Sequence, residues 1–236
     1  MDQSIADRLE RLEEKIEAAC RRSGRKRREL RLMAVTKLQP PEVLDAVWNA
    51  GIRLFGESRV REGIGKFQSF RNDQSRRGAE LHLIGSLQRN KAKAAAGFFD
   101  CIQSVDRDSL IDELGALTAG RENPLMILLE LHTGEETKAG FPDQDSLFRA
   151  AEKLLSFSGL TPAGLMTMAP FTEDKDAVRR SFRMLAAARD ELEKRFPLGN
   201  WSCLSMGMTN DFEIAIEEGS TLIRIGTAIF GERQYE

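Results

Sequence analysis

Lys37 is the residue that the sequence best places to act as a reactive amine. It directly follows the mostly apolar segment 33–36, and because side chains alternate along a strand, Met33, Val35 and Lys37 would share one face. An amine that is partly removed from water has a lowered pKa and becomes a nucleophile toward an aldehyde. The pattern therefore predicts Schiff-base chemistry at Lys37, with a rim lysine that extends into solvent as the alternative.

Two glycine-bearing segments near the end of the chain contain the residue types that bind phosphate. Ser205 and Gly207 close one apolar run, and Gly226 and Thr227 close the next. Glycines allow backbone N–H groups to approach a ligand closely, and hydroxyl side chains add donors. These segments predict a phosphate site at Ser205, Gly226 and Thr227, although ordinary turns have a similar composition.

Arg224 is the third candidate because its position predicts a buried guanidinium. By alternation it shares a face with Leu222 and Gly226, which directs it among apolar side chains. Leaving a buried guanidinium unpaired costs several kcal/mol, so it needs partners. The ring nitrogen of an aromatic cofactor is one possible partner, and the carboxylate of Glu57 or Glu130 is the alternative.

Eight short apolar runs predict the strands that must position these residues. Helical patterns follow the runs, and this alternation indicates a single α/β domain, a (β/α)8 barrel of the TIM type. A doubly wound open sheet is the alternative, since alternation neither counts the strands nor closes them. The predicted strands are 31–36, 52–56, 81–85, 100–105, 125–131, 162–167, 201–205 and 221–226.

Helical periodicity predicts an extra N-terminal helix and several helices between the strands. The apolar residues Ile5, Leu9, Leu12, Ile16 and Ala19 recur at steps of three and four, as in an amphipathic helix. Further helices are predicted over 41–50, with Pro41 in the first turn, over 107–119, 143–157 and 173–195, and in a short segment that begins at 210–211. With no linker composition between them, residues 1–236 are expected to form one domain.

In a TIM barrel the three candidates would meet at one end. The site lies at the C-terminal ends of the strands, and the loops after strands seven and eight often bind phosphate. An arginine that faces the pyridine nitrogen is one of the two usual arrangements for pyridoxal 5′-phosphate (PLP). Lys37, Arg224 and the two glycine-bearing segments together predict a PLP site.

Composition argues against several other classes of protein. With 35 basic and 37 acidic residues the net charge is −2, which favours neither nucleic acid nor a membrane surface as partner. We interpret the basic run at 21–31 as a solvated helix end with Gly24 as its cap.

Three separated cysteines and two separated histidines predict neither a disulfide framework nor a metal site. Without a secretory signal or an apolar stretch near the ~20 residues that span a bilayer, we expect a cytoplasmic protein.

Several motifs resemble those of the pyridoxal phosphate homeostasis proteins, which are related to the barrel domain of bacterial alanine racemases. The resemblance covers nearly the whole chain. The segments that carry it are LMAVTK (32–37), FGESRVRE (55–62), HLIGSLQRNK (82–91), TGEETKAG (133–140), GLMTMAP (164–170), LSMGMTND (204–211) and GSTLIRIGTAIFGER (219–233).

This resemblance implies roles for particular residues. It implies that Lys37 carries PLP as a Schiff base, that Ser205, Gly226 and Thr227 hold the phosphate, and that Arg224 faces the pyridine nitrogen. The sequence departs from the family pattern at Ser58 and His132, where asparagine is common, and at Thr209, where serine is common. Ser58 is shorter than asparagine and lacks the amide, which puts one polar contact near the cofactor in doubt.

The residues of such a site limit the chemistry that it could perform with PLP. An arginine partner leaves the pyridine nitrogen neutral and weakens carbanion chemistry, and racemisation needs two acid/base groups on opposite faces of the substrate. Alanine racemases take the second from a tyrosine in a further domain, which we do not expect here, since the only tyrosine is Tyr235. His132 is a possible replacement, whereas His82 is interpreted as a core histidine with its hydrogen bonds satisfied.

We therefore expect a monomeric, non-enzymatic protein that buffers PLP and transfers it to apo-enzymes. A PLP-dependent racemase of low activity and a Schiff-base aldolase that uses Lys37 without PLP are the alternatives.

Overall fold

Eight parallel strands form a closed barrel in the computed structural model, which describes residues 4–134 and 139–231. The strands are β1 (Arg31–Val35), β2 (Leu54–Glu57), β3 (Glu80–Leu83), β4 (Cys101–Val105), β5 (Leu125–Glu130), β6 (Leu160–Met166), β7 (Cys203–Ser205) and β8 (Leu222–Ile225). They pair in chain order, and β1 pairs with β8 in a register that places Met33 beside Arg224. This closure confirms the (β/α)8 prediction and excludes an open sheet.

Helices lie outside the barrel, one before β1, one after β8 and the others between successive strands. Within the described residues they are α1 (Ile5–Arg22), α2 (Val43–Asn49), α3 (Val60–Asn72), α4 (Ala92–Phe98), α5 (Asp108–Thr118), α6 (Gln144–Leu155), α7 (Lys175–Arg195), α8 (Phe212–Glu217) and α9 (Thr227–Phe230). The predicted helices agree to within about two residues, the usual uncertainty of helix ends. Pro41 precedes α2 in a turn, where its carbonyl accepts from Leu44 N at 3.0 Å, and so lies outside the first helical turn.

The extra helix α1 is capped at both ends and covers α8 and α9. Ser4 and Asp7 form a capping box, each side chain bonding the other's backbone N–H at 3.2 Å. The predicted apolar stripe is buried except for the half-buried Ile5. At the other end Gly24 has φ +67, and Arg25 N donates to Cys20 O at 2.9 Å, the bond that closes a helix of this kind.

The basic run after α1 is used in ion pairs and carbonyl contacts. Arg22 bonds Glu213 at 2.7 Å and Glu217 at 3.1 Å on α8. Arg25 donates to the carbonyl oxygens of Ile216 and Ser220. These contacts fasten α1 to the α8 end of the barrel, which gives the run a structural role.

Apolar side chains fill both the barrel and the space around it. The outer layer between strands and helices holds most of the buried apolar residues, including Phe55, Phe67 and Phe182. Met33, Val35, Leu54 and Leu222 form one cluster inside the barrel, and Cys101, Leu128 and Met166 form another. Val35 and Leu222 therefore face inward, as the alternation of β1 and β8 predicts. None of the described helices is long and apolar enough to cross a membrane.

Candidate functional site

A cavity of about 290 Å³ opens at the C-terminal end of the barrel. Its apolar wall includes Val35, Ile84, Met166 and Met168, and its rim includes Phe171 and Met208. The polar lining comprises Lys37, Ser58, Thr209, Asn210, Asp211, Arg224 and Thr227, together with Gly226. The cavity therefore joins the end of β1 to the loops after β7 and β8, which lie at opposite ends of the sequence.

Lys37 lies at the mouth of this cavity, two residues beyond the inward-facing Val35. Its side chain is on the inner face that alternation predicts, and the residue is half-buried. Thr36 points the other way, where its hydroxyl donates to Glu57 Oε1 at 2.7 Å. The end of β1 thus places Lys37 in the cavity lining and holds its neighbour Thr36 in the barrel wall.

An ionic cluster of the buried Glu57 and Lys66 with the half-buried Glu62 holds the backbone on both sides of Lys37. Lys66 Nζ donates to the Thr36 carbonyl at 2.6 Å, to Glu57 Oε1 at 2.8 Å and to Glu62 Oε1 at 3.2 Å. Glu62 also accepts from the Leu38 N–H at 2.5 Å. Leu38 has φ +60, a conformation that a branched side chain adopts only when its surroundings impose it. Burial raises the pKa of Glu57 against the opposing effect of the hydrogen bonds from Lys66 and Thr36.

Arg224 is buried beneath the cavity and lines it. Its Nη1 donates to the Ser205 carbonyl at 2.6 Å and to Ser205 Oγ at 2.8 Å, and its Nη2 donates to the Thr167 carbonyl at 2.8 Å. These bonds use three of the five guanidinium N–H donors. Burial lowers the pKa of Arg224, and the carboxylates of Asp211 and Glu130 oppose that shift.

Neither carboxylate considered in the sequence pairs with Arg224. Within residues 4–134 and 139–231, Glu57 pairs with Lys66, and Glu130 makes no ion pair with the arginine. That alternative is therefore wrong. Burial raises the pKa of Glu130 to about 7, with a further rise from Asp106 and an opposing effect from Arg224.

The loops after β7 and β8 meet on one side of the cavity. The Ala228 N–H of α9 is 3.4 Å from Thr209 Oγ1, so the two loops touch. The Met208 N–H donates to Asp211 Oδ1 at 2.5 Å, which closes the first loop upon itself. Thr209, Gly226 and Thr227 all line the cavity, and these residue types in these two loops are those expected of a phosphate cradle.

Comparison with known proteins identifies the family. The family model for the alanine racemase N-terminal domain matches residues 8–234. A pyridoxal phosphate homeostasis protein from Aquifex aeolicus is 39% identical over 98% of this chain and 100% of its own length. This chain belongs to the pyridoxal phosphate homeostasis protein family.

Solved structures agree with this assignment. A protein of unknown function from Bifidobacterium adolescentis has 35% identity and a TM-score of 0.90 over 96% of this chain and 94% of its own. PipY from Synechococcus elongatus, solved with PLP bound, has 31% identity and a TM-score of 0.83 over 97% of this chain and 100% of its own. Both structures therefore share the fold of this chain over nearly its whole length.

Ser205 and Gly207, which the sequence predicts at a phosphate site, are not among the residues that line the cavity. Ser205 is fully buried, and its hydroxyl donates to Gln103 Oε1 at 2.6 Å while accepting from Arg224. Gly207 has φ +99, and a Cβ there would lie 2.6 Å from Ala215 Cβ. Both residues belong to the support beneath the cavity, and Thr209, two residues after Gly207, supplies the loop's hydroxyl in the wall instead.

The remaining residues considered in the sequence lie in different parts of the structure. Ser58 lines the cavity, so that departure lies within the site. His132 follows β5, donates its backbone N–H to Phe141 O at 2.9 Å and lies outside the cavity lining. His82 is buried in β3 with both ring nitrogens hydrogen-bonded, as its interpretation as a core histidine predicts. Tyr235 lies outside the described residues.

Metal and cysteine chemistry receive no support from the described part of the chain. No cluster of three His, Cys, Asp or Glu side chains there could hold a metal ion. Cys20 and Cys101 are buried, Cys203 is half-buried, and all three are free thiols. Burial raises the pKa of each thiol, which keeps it protonated and weakly nucleophilic.

Proposed function

We propose that this protein holds PLP as a Schiff base on Lys37 and acts in intracellular PLP homeostasis, without substantial turnover of a substrate. The proposal rests on one observation: Lys37, Arg224, the loop that contains Thr209 and the loop that contains Thr227 all line one cavity. An amine, a buried cation and a hydroxyl-rich wall match the aldehyde, ring nitrogen and phosphate of PLP.

The aldehyde end of PLP is assigned to Lys37. The cluster of Glu57, Glu62 and Lys66 fixes the backbone before and after this lysine, so its amine is presented from a rigid position. A fixed amine at the mouth of an apolar cavity loses little conformational freedom when it forms a covalent bond, which favours adduct formation.

The phosphate end is assigned to Gly226, Thr227 and Thr209. Two threonine hydroxyls and the backbone N–H groups that begin α9 are donors, and donors without full charge suit a ligand that must also leave. Ser205 acts indirectly, because its hydroxyl accepts a hydrogen bond from Arg224.

The ring nitrogen is assigned to Arg224, whose guanidinium lines the cavity with donors beyond those bound to Ser205 and Thr167. When bound, PLP supplies an electron sink for carbanion chemistry, and that sink needs a protonated ring nitrogen. A guanidinium can only donate, so Arg224 keeps the ring nitrogen unprotonated. The arrangement favours retention of the cofactor over turnover.

The acid/base inventory of the cavity points in the same direction. Besides Lys37 and Arg224, the titratable side chain among the described lining residues is Asp211, whose Oδ1 is engaged by the Met208 N–H. Racemisation needs two acid/base groups that face each other across the substrate carbon. We therefore assign the site to binding and release, with apo-enzymes that require PLP as the recipients, and propose a cytoplasmic monomer in which the barrel is the single functional domain.

Absorbance spectroscopy with borohydride reduction tests the proposal. The protein mixed with PLP should gain a visible band that borohydride removes, and peptide mapping should find the pyridoxyl group on Lys37. Lys37→Ala should lose the band, whereas Lys91→Ala, a half-buried lysine on the same face of the barrel outside the cavity lining, should keep it.

Two outcomes would contradict the proposal. A pyridoxyl label on another lysine would overturn the site assignment. Loss of optical rotation from an L-amino acid at an enzymatic rate, measured by polarimetry and abolished in Lys37→Ala, would replace the homeostasis role by a racemase.

A further inference from the structure

A chain of hydrogen bonds crosses the barrel interior from Arg224 to the opposite, N-terminal end of the strands. Arg224 Nη1 lies 2.8 Å from Ser205 Oγ, and the Ser205 hydroxyl lies 2.6 Å from Gln103 Oε1. Gln103 Nε2 lies 2.7 Å from His82 Nδ1, and His82 Nε2 lies 2.6 Å from Glu80 Oε1. The chain thus connects β8, β7, β4 and β3, and it ends at the first residue of β3.

The donors of this chain point in one direction. Because Gln103 Oε1 accepts the Ser205 proton, the amide presents its N–H to His82 Nδ1. Nδ1 must then be an acceptor, so the imidazole proton lies on Nε2 and is donated to Glu80. Every link donates away from Arg224 and toward the carboxylate.

The last group is fixed as an anion. Arg31 donates to both carboxylate oxygens of Glu80, at 2.5 and 3.3 Å. Although partial burial alone would raise it, the hydrogen bonds from His82 and Arg31 lower the pKa of Glu80 to about 2. A permanent charge at the far end polarises each bond of the chain in the same sense.

Burying these polar side chains inside the barrel costs free energy unless each of them is hydrogen-bonded. Ser205 and Gln103 are fully buried and His82 is 3% exposed. The interior of a TIM barrel is ordinarily filled by branched apolar side chains. Three polar residues occupy that space here, and the hydrogen bonds that link them begin at the guanidinium that lines the cavity.

We propose that Gln103 and His82 are positioning residues for Arg224, which hold its guanidinium toward the ring nitrogen of a bound pyridoxal compound. Gln103 takes the only proton of the Ser205 hydroxyl, so the oxygen lone pairs are turned toward Arg224. His82 fixes the orientation of the Gln103 amide, which could otherwise rotate and reverse its donor and acceptor. This inference rests on the proposed function and extends it to residues outside the cavity.

The test is PLP affinity in a double-mutant cycle between Gln103→Met and Arg224→Leu, measured by absorbance titration. Gln103→Met should weaken PLP binding by about tenfold, the typical effect of one lost hydrogen bond to a charged group. The same substitution should have no further effect in the Arg224→Leu background. An analogue with carbon in place of the ring nitrogen should bind wild type and Gln103→Met equally well, because its ring offers no acceptor to Arg224.

Two further variants guard against a general loss of stability. Cys101→Ala, two residues before Gln103 on the same inward face of β4, should leave PLP affinity unchanged. His82→Leu breaks the next link and should also weaken PLP binding selectively over the analogue, so the proposal can be tested even if Gln103→Met does not fold.

The possible failures are distinguishable. If wild type forms no borohydride-reducible adduct on Lys37, the proposed function itself fails. If wild type forms the adduct but Gln103→Met binds PLP as wild type does, or loses equal affinity in the Arg224→Leu background, Gln103 does not act through Arg224 and this inference is overturned.

Discussion

Lys66 Nζ lies 2.8 Å from Glu57 Oε1, and this buried ion pair sits directly behind the backbone that presents Lys37. The Lys66 side chain is 5% exposed and that of Glu57 is fully buried. Glu57 Oε2 has no hydrogen-bond partner among the residues that the structure describes, so the carboxylate depends on the contacts made by its other oxygen. The pair therefore couples the stability of the barrel to the geometry of the site.

Removing the cation alone should be costly. Lys66→Met leaves Glu57 as an uncompensated buried carboxylate and should lower the free energy of unfolding by about 3 kcal/mol. Adding Glu57→Gln to that variant should recover much of the loss, because an amide needs no counter-ion. Urea unfolding of the PLP-free protein measures both effects.

Lys153→Met is the matched control, since Lys153 pairs with Asp112 on the surface at 2.9 Å. Exposed pairs contribute little, so this variant should unfold nearly as wild type does. Equal losses for both lysine variants would contradict the special role of the buried pair.

Glu130 should make folding less favourable as pH rises. Burial raises its pKa to about 7 from the ordinary value of 4.5, so the folded state holds a proton that the unfolded state releases. The unfolded state therefore gains from ionisation first, and stability should decline as pH rises from about 4.5 through 7. Glu130→Gln should match wild type near pH 4 and be more stable by roughly 3 kcal/mol at pH 8.

Thermal or urea unfolding across that pH range measures the difference. Glu152→Gln removes the same charge from an exposed position on α6 and controls for net charge. A constant difference between Glu130→Gln and wild type at every pH would show that the pKa of Glu130 is the same in the folded and unfolded protein, which contradicts the raised pKa.

Thr227 and Ser205 should differ in which part of the ligand they affect. Thr227→Val removes a hydroxyl from the cavity wall and should weaken PLP binding by about tenfold while leaving pyridoxal binding unchanged, because pyridoxal has no phosphate. Ser205→Ala removes one of the three acceptors of Arg224 and should weaken the binding of both ligands to the same degree. Absorbance titrations with the two ligands make the comparison, and a phosphate-selective loss in Ser205→Ala would restore the role expected from the sequence.

Gly207 should be intolerant of even one added methyl group. Its φ is +99, and a Cβ would meet Ala215 Cβ at 2.6 Å, so Gly207→Ala combines backbone strain with overpacking and should cost about 2 kcal/mol or more. Gly65→Ala, in the interior of α3 with open space around the new Cβ, should instead stabilise the protein by about 0.5 kcal/mol or more. Urea midpoints compare the two, and similar midpoints would refute the packing argument.

The sequence by itself determined the architecture and the face on which Lys37 lies. Strands and helices alternate, each strand end is close to its predicted position, and alternation along β1 correctly placed Lys37 on the face of Val35. These are local properties, because the face of a strand residue depends only on its neighbours two positions away. The same reasoning correctly placed Arg224 inside the barrel.

Only the tertiary structure decided what surrounds these residues. Alternation predicts which way Ser205 points. It does not predict that the Ser205 hydroxyl donates a hydrogen bond to Gln103, 102 residues earlier in the chain. Nor does it apply in loops, which is why Thr209 in place of Ser205 lines the cavity. Lys66 pairs with Glu57, and β1 pairs with β8. The separation of these groups along the chain does not indicate these contacts. Local pattern fixes the face of each side chain, and the closed ring of strands fixes its partners.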